Sequence, residues 1–297
     1  MKTPLQNQFE IQLKALTGFE FQKVVIRIFQ LKYGTTGFTD IRLQKDKGND
    51  GIIESEKRVI ACFAPDVTLN TQKRQKEFEK KAKSDFESYQ TNWQTSYSNW
   101  SIVINQSIDP KYDMVVKGLT PTGSVIGLTQ LIDAIGYLKG HEKRQLGEEL
   151  RIPKELFSQD YLHELLKDLL KESETSSREI NYDKKSYVYI EQKIKLNYDE
   201  SDIETAINEY GHLLERGYLE QVKNIMSGYE DVDIDRLKNR VIDDYKNHTN
   251  GDFKTKLKQL SEHYLVKYSP DDDDYLLCIK AVLIYLFEQC LIGRKET

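Results

Sequence analysis

The sequence predicts an α/β N-terminal domain, a mixed sheet with flanking helices, followed by an all-α C-terminal bundle. Three observations predict it. Residues 5 to 138 run in the order α-β-β-β-α-β-(β)-α, which suits one mixed sheet with helices packed on it. From Tyr187 onward the apolar spacing is helical almost throughout. Between these regions, residues 173 to 185 are polar and lack apolar periodicity, as a linker would. The expected divisions are an α/β domain over 1–150, a charged helix and linker over 151–185, and a helical domain over 186–297.

Residues 5 to 33 read as one long amphipathic helix or two short ones. Phe9, Leu13 and Leu16, then Phe21, Val24, Val25, Ile28 and Phe29, recur at helical spacing, and Thr17-Gly18 offers a break. Gly34 and Gly37 end the run. Asp40-Ile41-Arg42-Leu43 alternates like a strand, and Gly48 to Gly51 reads as a turn. Ile52-Ile53 and Val59 to Phe63 form a hairpin over Glu54-Ser55-Glu56-Lys57, closed by Pro65. Thr71 to Trp93 is helical, with Phe78, Ala82, Phe86 and Trp93 as its buried stripe. Trp100 to Asn105 is a buried strand. Met114-Val115-Val116 suits a strand or part of a helix, Ser124 to Gly127 a strand and turn, and Leu128 to Leu138 a helix. Asp160 to Lys171 is the one clear helix between 139 and 185. Further helices follow at about 201–227, 233–247, 251–267 and 272–292. Asp271 to Asp274 precede the last of these, where negative charge favours a helix N-terminus.

Composition sets the class. With 38% hydrophobic and 31% charged residues and a mean hydropathy of −0.63, the chain is expected to be soluble with a modest core. Three scattered cysteines, Cys62, Cys278 and Cys290, form no disulfide framework and fit buried thiols in a reducing cytoplasm. Met1 to Glu10 lacks the apolar core of a signal peptide. The longest apolar run, Leu276 to Ile292, contains Lys280, Glu288 and Gln289, so a buried helix explains it better than a membrane span. Charge is uneven. Residues 181–297 carry 17 Lys and Arg against 23 Asp and Glu, whereas the remainder is near neutral. Any nucleic-acid role is therefore expected in the N-terminal half, and a protein partner on the acidic C-terminal half.

The chemistry-bearing stretch is Gly48-Asn49-Asp50-Gly51-Ile52-Ile53, with Val59-Ile60-Ala61-Cys62-Phe63-Ala64-Pro65 after it. Asn-Asp-Gly alone is a common turn, since these residues tolerate left-handed backbone. Leu16-Thr17-Gly18-Phe19-Glu20-Phe21 and Gly37-Phe38 to Leu43 precede it. Together these segments resemble the opening of Mrr-like restriction endonuclease domains, which have the PD-(D/E)XK fold. That resemblance implies Mg²⁺-dependent phosphodiester hydrolysis, with Asp50 as metal ligand and Glu20 as the helix glutamate. Hard oxygen ligands suit Mg²⁺, and a lysine suits the developing phosphorane. The family expects Gln-x-Lys or Glu-x-Lys in the second hairpin strand. Ala61 and Phe63 stand there, and a shift by one residue gives Cys62 and Ala64. The resemblance covers roughly residues 13 to 105, and its second half departs from the pattern. Either the site is degenerate and no cofactor is needed, or Mg²⁺ is held with replacements. Asp66, Glu54 or Glu56 would supply the acid, and Lys73, Lys76 or Lys80 the lysine.

Lys73, Arg74, Lys76, Lys80, Lys81 and Lys83 crowd the first half of the helix at 71–93. They suit sequence-independent phosphate contacts, with Lys73, Arg74, Lys76, Lys80 and Lys83 as the nucleic-acid-binding set. Glu77, Glu79, Asp85 and Glu87 interleave, as on a solvated face. Trp93, Tyr97 and Trp100 suit core packing or base stacking. The five histidines show no metal-ligand spacing and none is assigned to catalysis.

Tyr275 to Gly293 is apolar nearly all round, as in the central helix of a bundle or an interface helix. A nuclease-like domain joined to an acidic helical domain that ends Tyr-Leu-Phe-Glu-Gln-Cys-Leu-Ile-Gly resembles effector or accessory subunits of bacterial ABC-three-component anti-phage systems, Lamassu among them. That resemblance implies an SMC- or Rad50-like ABC ATPase and a small middle component as partners, possible DNA, and no membrane. The expected function is a nuclease-fold subunit of such a defence complex with a degenerate site. The alternative is an active Mg²⁺-dependent DNA endonuclease using Asp50 and Glu20.

Overall fold

The computed structural model describes residues 2–42, 48–66, 68–172, 189–266, 273–289 and 291–294. The described helices and strands fall into two units, Met1–Pro153 and Lys154–Thr297. In the first, the N-terminal helical stretch is two helices, α1 (Pro4–Ala15) and α2 (Gly18–Gly37). Thr3 Oγ1 accepts from the Gln6 N–H (3.2 Å) and Gln6 Oε1 from the Thr3 N–H (3.0 Å), so α1 starts on a reciprocal cap. Extended backbone at Leu16 and Thr17 separates the two helices.

Strand β1 is Phe38–Asp40. The expected strand over Asp40 to Leu43 stops early because Arg42 turns back, giving its N–H and guanidinium to the Asp40 carboxylate. Leu43 lies outside the described residues. Strand β2 (Gly51–Ile53) and β3 (Arg58–Phe63) flank a 3-10 turn at Glu54–Glu56. The rest of the unit is α3 (Thr71–Asn92), β4 (Asn99–Ile104), α4 (Pro110–Leu119), β5 (Ser124–Ile126), α5 (Leu128–Gly136) and α6 (Gly140–Glu149). Met114 to Val116 are thus helical, with Val116 buried and Met114 exposed.

The sheet order is β1-β2-β3-β4-β5. The first three strands form an antiparallel meander, while β4 runs parallel to β3 and β5 parallel to β4. Parallel neighbours need crossovers, and α3 and α4 are those crossovers. Val59, Ala61 and Phe63 of β3 and Trp100, Ile102 and Ile104 of β4 meet Phe78, Ala82 and Phe86 of α3 in one apolar cluster. Both strands are covered on both faces, which explains their continuous apolar runs.

The second unit is helical: α7 (Glu155–Glu172), α8 (Ile190–Asn197), α9 (Ile203–Glu215), α10 (Tyr218–Met226), α11 (Asp231–Asn247), α12 (Phe253–Leu265) and α13 (Asp273–Glu288). Residues 139 to 172 therefore hold two helices, α6 and α7, rather than one. The expected linker, residues 173 to 185, lies outside the described residues. The expected helix over 201–227 is broken by Gly217, whose φ of 73° favours glycine. Helix α13 packs on α7, α10 and α12 and buries Ile279, Val282, Leu283, Leu286 and Phe287 among others. Buried Lys193 closes its C-terminus by donating to the carbonyls of Phe287 (3.2 Å) and Glu288, cations being favoured at that end. Among the described residues, no helix is long and apolar enough to cross a membrane.

Candidate active site

Asp50 stands just before β2, locked into the sheet by its backbone. Its N–H donates to the Ile60 carbonyl (2.8 Å) and its carbonyl accepts from the Ile41 N–H (3.2 Å). Gly51 is strand rather than turn, pairing with Asp40 and Ile60. A Cβ at Gly51 would stand 2.3 Å from the Phe38 ring, so the glycine serves close packing beside the aspartate.

The side chain of Asp50 is buried, and Oδ2 accepts from the Cys62 N–H at 2.6 Å. Burial pushes its carboxyl above the ordinary range, against the Cys62 N–H and the charges of Lys81 and Arg42. Alternation along β3 puts Val59, Ala61 and Phe63 into the apolar cluster. Cys62 turns its thiol to Asp50. Burial raises that thiol well above its usual value, and the Asp50 charge adds to the effect. Cys62 is therefore the β3 residue at the aspartate, and no acid or lysine of β3 reaches it.

Helix α3 supplies both. Asp85 is buried, and Lys81 Nζ donates to its Oδ1 at 2.7 Å. Burial lifts the Asp85 carboxyl to about 6 despite Lys81, with the Asp50 charge adding to the rise. Asn49 bridges the elements: its Nδ2 donates to the Asp85 carbonyl (3.3 Å), and its Oδ1 accepts from the Trp100 indole N–H (2.9 Å). Arg42 pairs with Asp40 (2.7 Å), lies over the Phe19 ring, and holds the Asp40 carboxyl below its usual range. Among the described residues, two buried polar atoms here lack a hydrogen-bond partner, Asp85 Oδ2 and Arg42 Nη1.

The other expected residues are placed elsewhere. Glu20 is exposed in the first turn of α2, and among the described residues no hydrogen bond or ion pair joins it to Asp50. Asp66 is exposed and accepts from Thr68, whose backbone N–H lowers its carboxyl. Glu54 accepts from the Tyr97 hydroxyl, and Glu56 from Tyr33 and Arg58. Lys73, Lys76, Lys80 and Lys83 are exposed, and Arg74 is half-buried against Gln106. At about 100° per residue, those four lysines form one stripe, roughly 140° around α3 from the edge that carries Lys81 and Asp85. Trp100 is fully buried, and Trp93 and Tyr97 pack on the same cluster.

Charge pattern alone leaves Asp85 among several surface acids. Its spacing holds the signal, since it lies seven residues after Phe78 and three after Ala82, on the buried stripe. Compared with protein-family models, curated proteins and solved structures, the chain matches none.

Proposed function

We propose that residues 1–153 are a restriction-endonuclease-like unit that acts on nucleic-acid phosphodiesters, with the acid and lysine of its site moved from β3 to α3 as Asp85 and Lys81. One observation carries the reading. Beside Asp50, a buried carboxylate oxygen and a buried guanidinium nitrogen both lack partners among the described residues. Such atoms are costly unless something binds them. The oxygen suits a cation and the guanidinium a phosphate. The α-β-β-β-α-β order that the sequence pattern suggests for one mixed sheet runs from α2 to β4, with β4 parallel to β3, and it leaves room for such a unit.

Asp50 and Asp85 are hard oxygen donors, and Mg²⁺ commonly takes one or two carboxylates beside waters and phosphate oxygens, so the residues fit that ion. When bound, Mg²⁺ supplies Lewis-acid polarisation of a phosphoryl oxygen and a more acidic water. Lys81 is positioned to balance charge as the phosphorane develops, and Arg42 to hold the phosphate. The lysine stripe of α3 tracks the nucleic-acid backbone beyond the site. The helical unit, with its acidic balance, docks a basic face of a partner in a multiprotein bacterial defence complex, the partners that the resemblance implies being an SMC- or Rad50-like ABC ATPase and a small middle component.

A second reading has its own support. Lys81 already pairs with Asp85, and Cys62 is a poor Mg²⁺ ligand. On that reading the unit binds nucleic acid without cutting it.

One experiment separates them. The full chain is incubated with plasmid, single-stranded DNA and RNA in Mg²⁺ or Mn²⁺, and metal affinity is measured by calorimetry. Cleavage that falls by roughly a hundredfold in Asp50→Ala, Asp85→Asn and Lys81→Met is expected, since each change removes transition-state charge stabilisation worth several kcal/mol. No cleavage, together with metal affinity unchanged in Asp85→Asn, leaves only the binding reading. In the same preparations, Lys76→Glu, Lys80→Glu and Lys83→Glu together should flatten the salt dependence of binding by roughly one unit of slope for each phosphate no longer neutralised. An unaltered slope would assign the stripe to solvent.

A further inference from the structure

The helical unit gathers three metal-type donors that sequence spacing does not reveal. Asp244 lies in the last turn of α11, His248 is the C-cap residue of that helix, and His263 lies in the last turn of α12. One ligand atom from each falls within 4.8 Å of the others. Among the described residues, this is the one group of three or more His, Cys, Asp or Glu side chains gathered so closely.

The geometry is that of a gap rather than of a hydrogen-bonded cluster. His248 Nε2 stands 3.8 Å from Asp244 Oδ1, too far for a hydrogen bond. The two imidazoles lie nearly parallel, with centroids 4.7 Å apart and planes 13° apart. Around a tetrahedral zinc with bonds of about 2.0–2.1 Å, neighbouring ligand atoms stand roughly 3.3 Å apart. Closing onto the ion needs small swings of two exposed imidazoles.

The carboxylate is already aimed. Asp244 is buried, and its other oxygen, Oδ2, accepts from Arg240 Nε (2.8 Å) and from the Tyr264 hydroxyl (3.0 Å). These two donors fix the carboxylate and turn Oδ1 toward the histidines. Metal-ligating carboxylates are held by outer partners in this way.

We propose that Asp244, His248 and His263 bind zinc, joining α11 to α12. Two imidazole nitrogens and one carboxylate oxygen suit zinc or a similar late first-row ion. Mg²⁺ and Ca²⁺ prefer oxygen throughout. Three protein ligands leave a position open, and exposure of both histidines lets the ion enter and leaves that position to water or to a side chain of a docked partner. The site lies in the helical unit, so it is separate from the Asp50 cluster and does not depend on the nuclease reading.

The test uses the full chain stripped with chelator. Calorimetry with zinc chloride is expected to give one equivalent at roughly micromolar affinity or tighter. Cobalt(II) at the same site should give visible absorption bands of a low-coordinate N/O site. His248→Ala and His263→Ala should each weaken zinc binding by at least about tenfold. The double variant Asp50→Ala, Asp85→Asn should leave it unchanged, which separates the two clusters. Both histidines are exposed, so the variants should fold, and far-ultraviolet circular dichroism checks this. Zinc affinity no tighter than roughly millimolar would overturn the proposal. So would tight binding that neither histidine variant weakens.

Discussion

Asparagine in place of Asp85 is expected to stabilise the N-terminal unit at pH 7 by about 1–3 kcal/mol. The effect comes from burial. The Asp85 carboxyl titrates at about 6 in the folded chain, against an ordinary 3.8. A raised carboxyl is an ionised group that the fold holds at a loss. Below pH 3.8 the carboxyl is neutral in both states and costs nothing. As pH rises toward 6 the unfolded chain releases its proton first, and stability falls through that window. Above it the full cost stands, at most about 3 kcal/mol, because each pKa unit is worth about 1.4 kcal/mol. The neutral amide escapes that cost but must find an acceptor, hence the lower bound. Melting curves from pH 4.5 to 7.5 check the prediction: the variant's advantage should be smallest at the acid end and complete near pH 7. An asparagine variant less stable at every pH would mean that Lys81 needs its carboxylate as a structural partner. A residue that costs stability and sits at a cluster of unpaired atoms is where function is expected.

Most of the fold is legible in the sequence because its signals are local. Phe21, Val24, Val25, Ile28 and Phe29 mark the buried face of α2 by spacing alone. The apolar runs at Val59 to Phe63 and Trp100 to Ile104 announce two-face burial, and α3 between them announces the crossover. Two features rest on particular side-chain contacts, one local and one distant, and do not show. The strand at Asp40 ends early because Arg42 folds back on Asp40, an interaction no periodicity encodes. Helix α7 reads as an isolated charged helix in sequence, yet Tyr161, Leu162, Leu165 and Leu166 are buried and its ring partner is Tyr275, more than a hundred residues away.

The candidate site is half legible. Gly48 to Gly51 points to Asp50, and its burial at the head of β2 follows the pattern. For the acid, the sequence points to the turn before β3 (Glu54, Glu56) or the loop after it (Asp66), and for the lysine to the first turns of α3. The pair that the fold gathers with Asp50 is Asp85 and Lys81, because the loop holding Asn49 meets the middle of α3. Only a helical wheel centred on Phe78 and Ala82 separates Asp85 from the exposed acids around it. Glu20 matches a motif position, but a motif fixes spacing along the chain and not the direction of an exposed side chain. The Asp244, His248 and His263 group escapes sequence spacing for a related reason: one i,i+4 pair is visible on α11, and its third member comes from another helix.

Trp100→Ala is expected to destabilise the N-terminal unit by about 3–5 kcal/mol, and Trp100→Phe by about 1–3 kcal/mol. Trp100 is fully buried, edge-on to Phe86 at 5.4 Å, at the centre of the cluster that joins β3, β4 and α3. Alanine leaves a cavity that the surrounding strands can only partly fill. Phenylalanine keeps most of the ring but loses the indole N–H that Asn49 accepts. That same Asn49 holds the start of β2 to the Asp85 carbonyl, so the phenylalanine variant should also loosen Asp50 relative to Asp85. Denaturant unfolding followed by circular dichroism gives the two stabilities, and metal calorimetry reads the second effect. A well-folded phenylalanine variant with weaker Mg²⁺ binding would show that the indole positions the site through Asn49. Equal metal affinity would confine Trp100 to packing. An alanine variant that loses less than about 1 kcal/mol would place Trp100 outside the essential core and reopen its reading as a base-stacking residue.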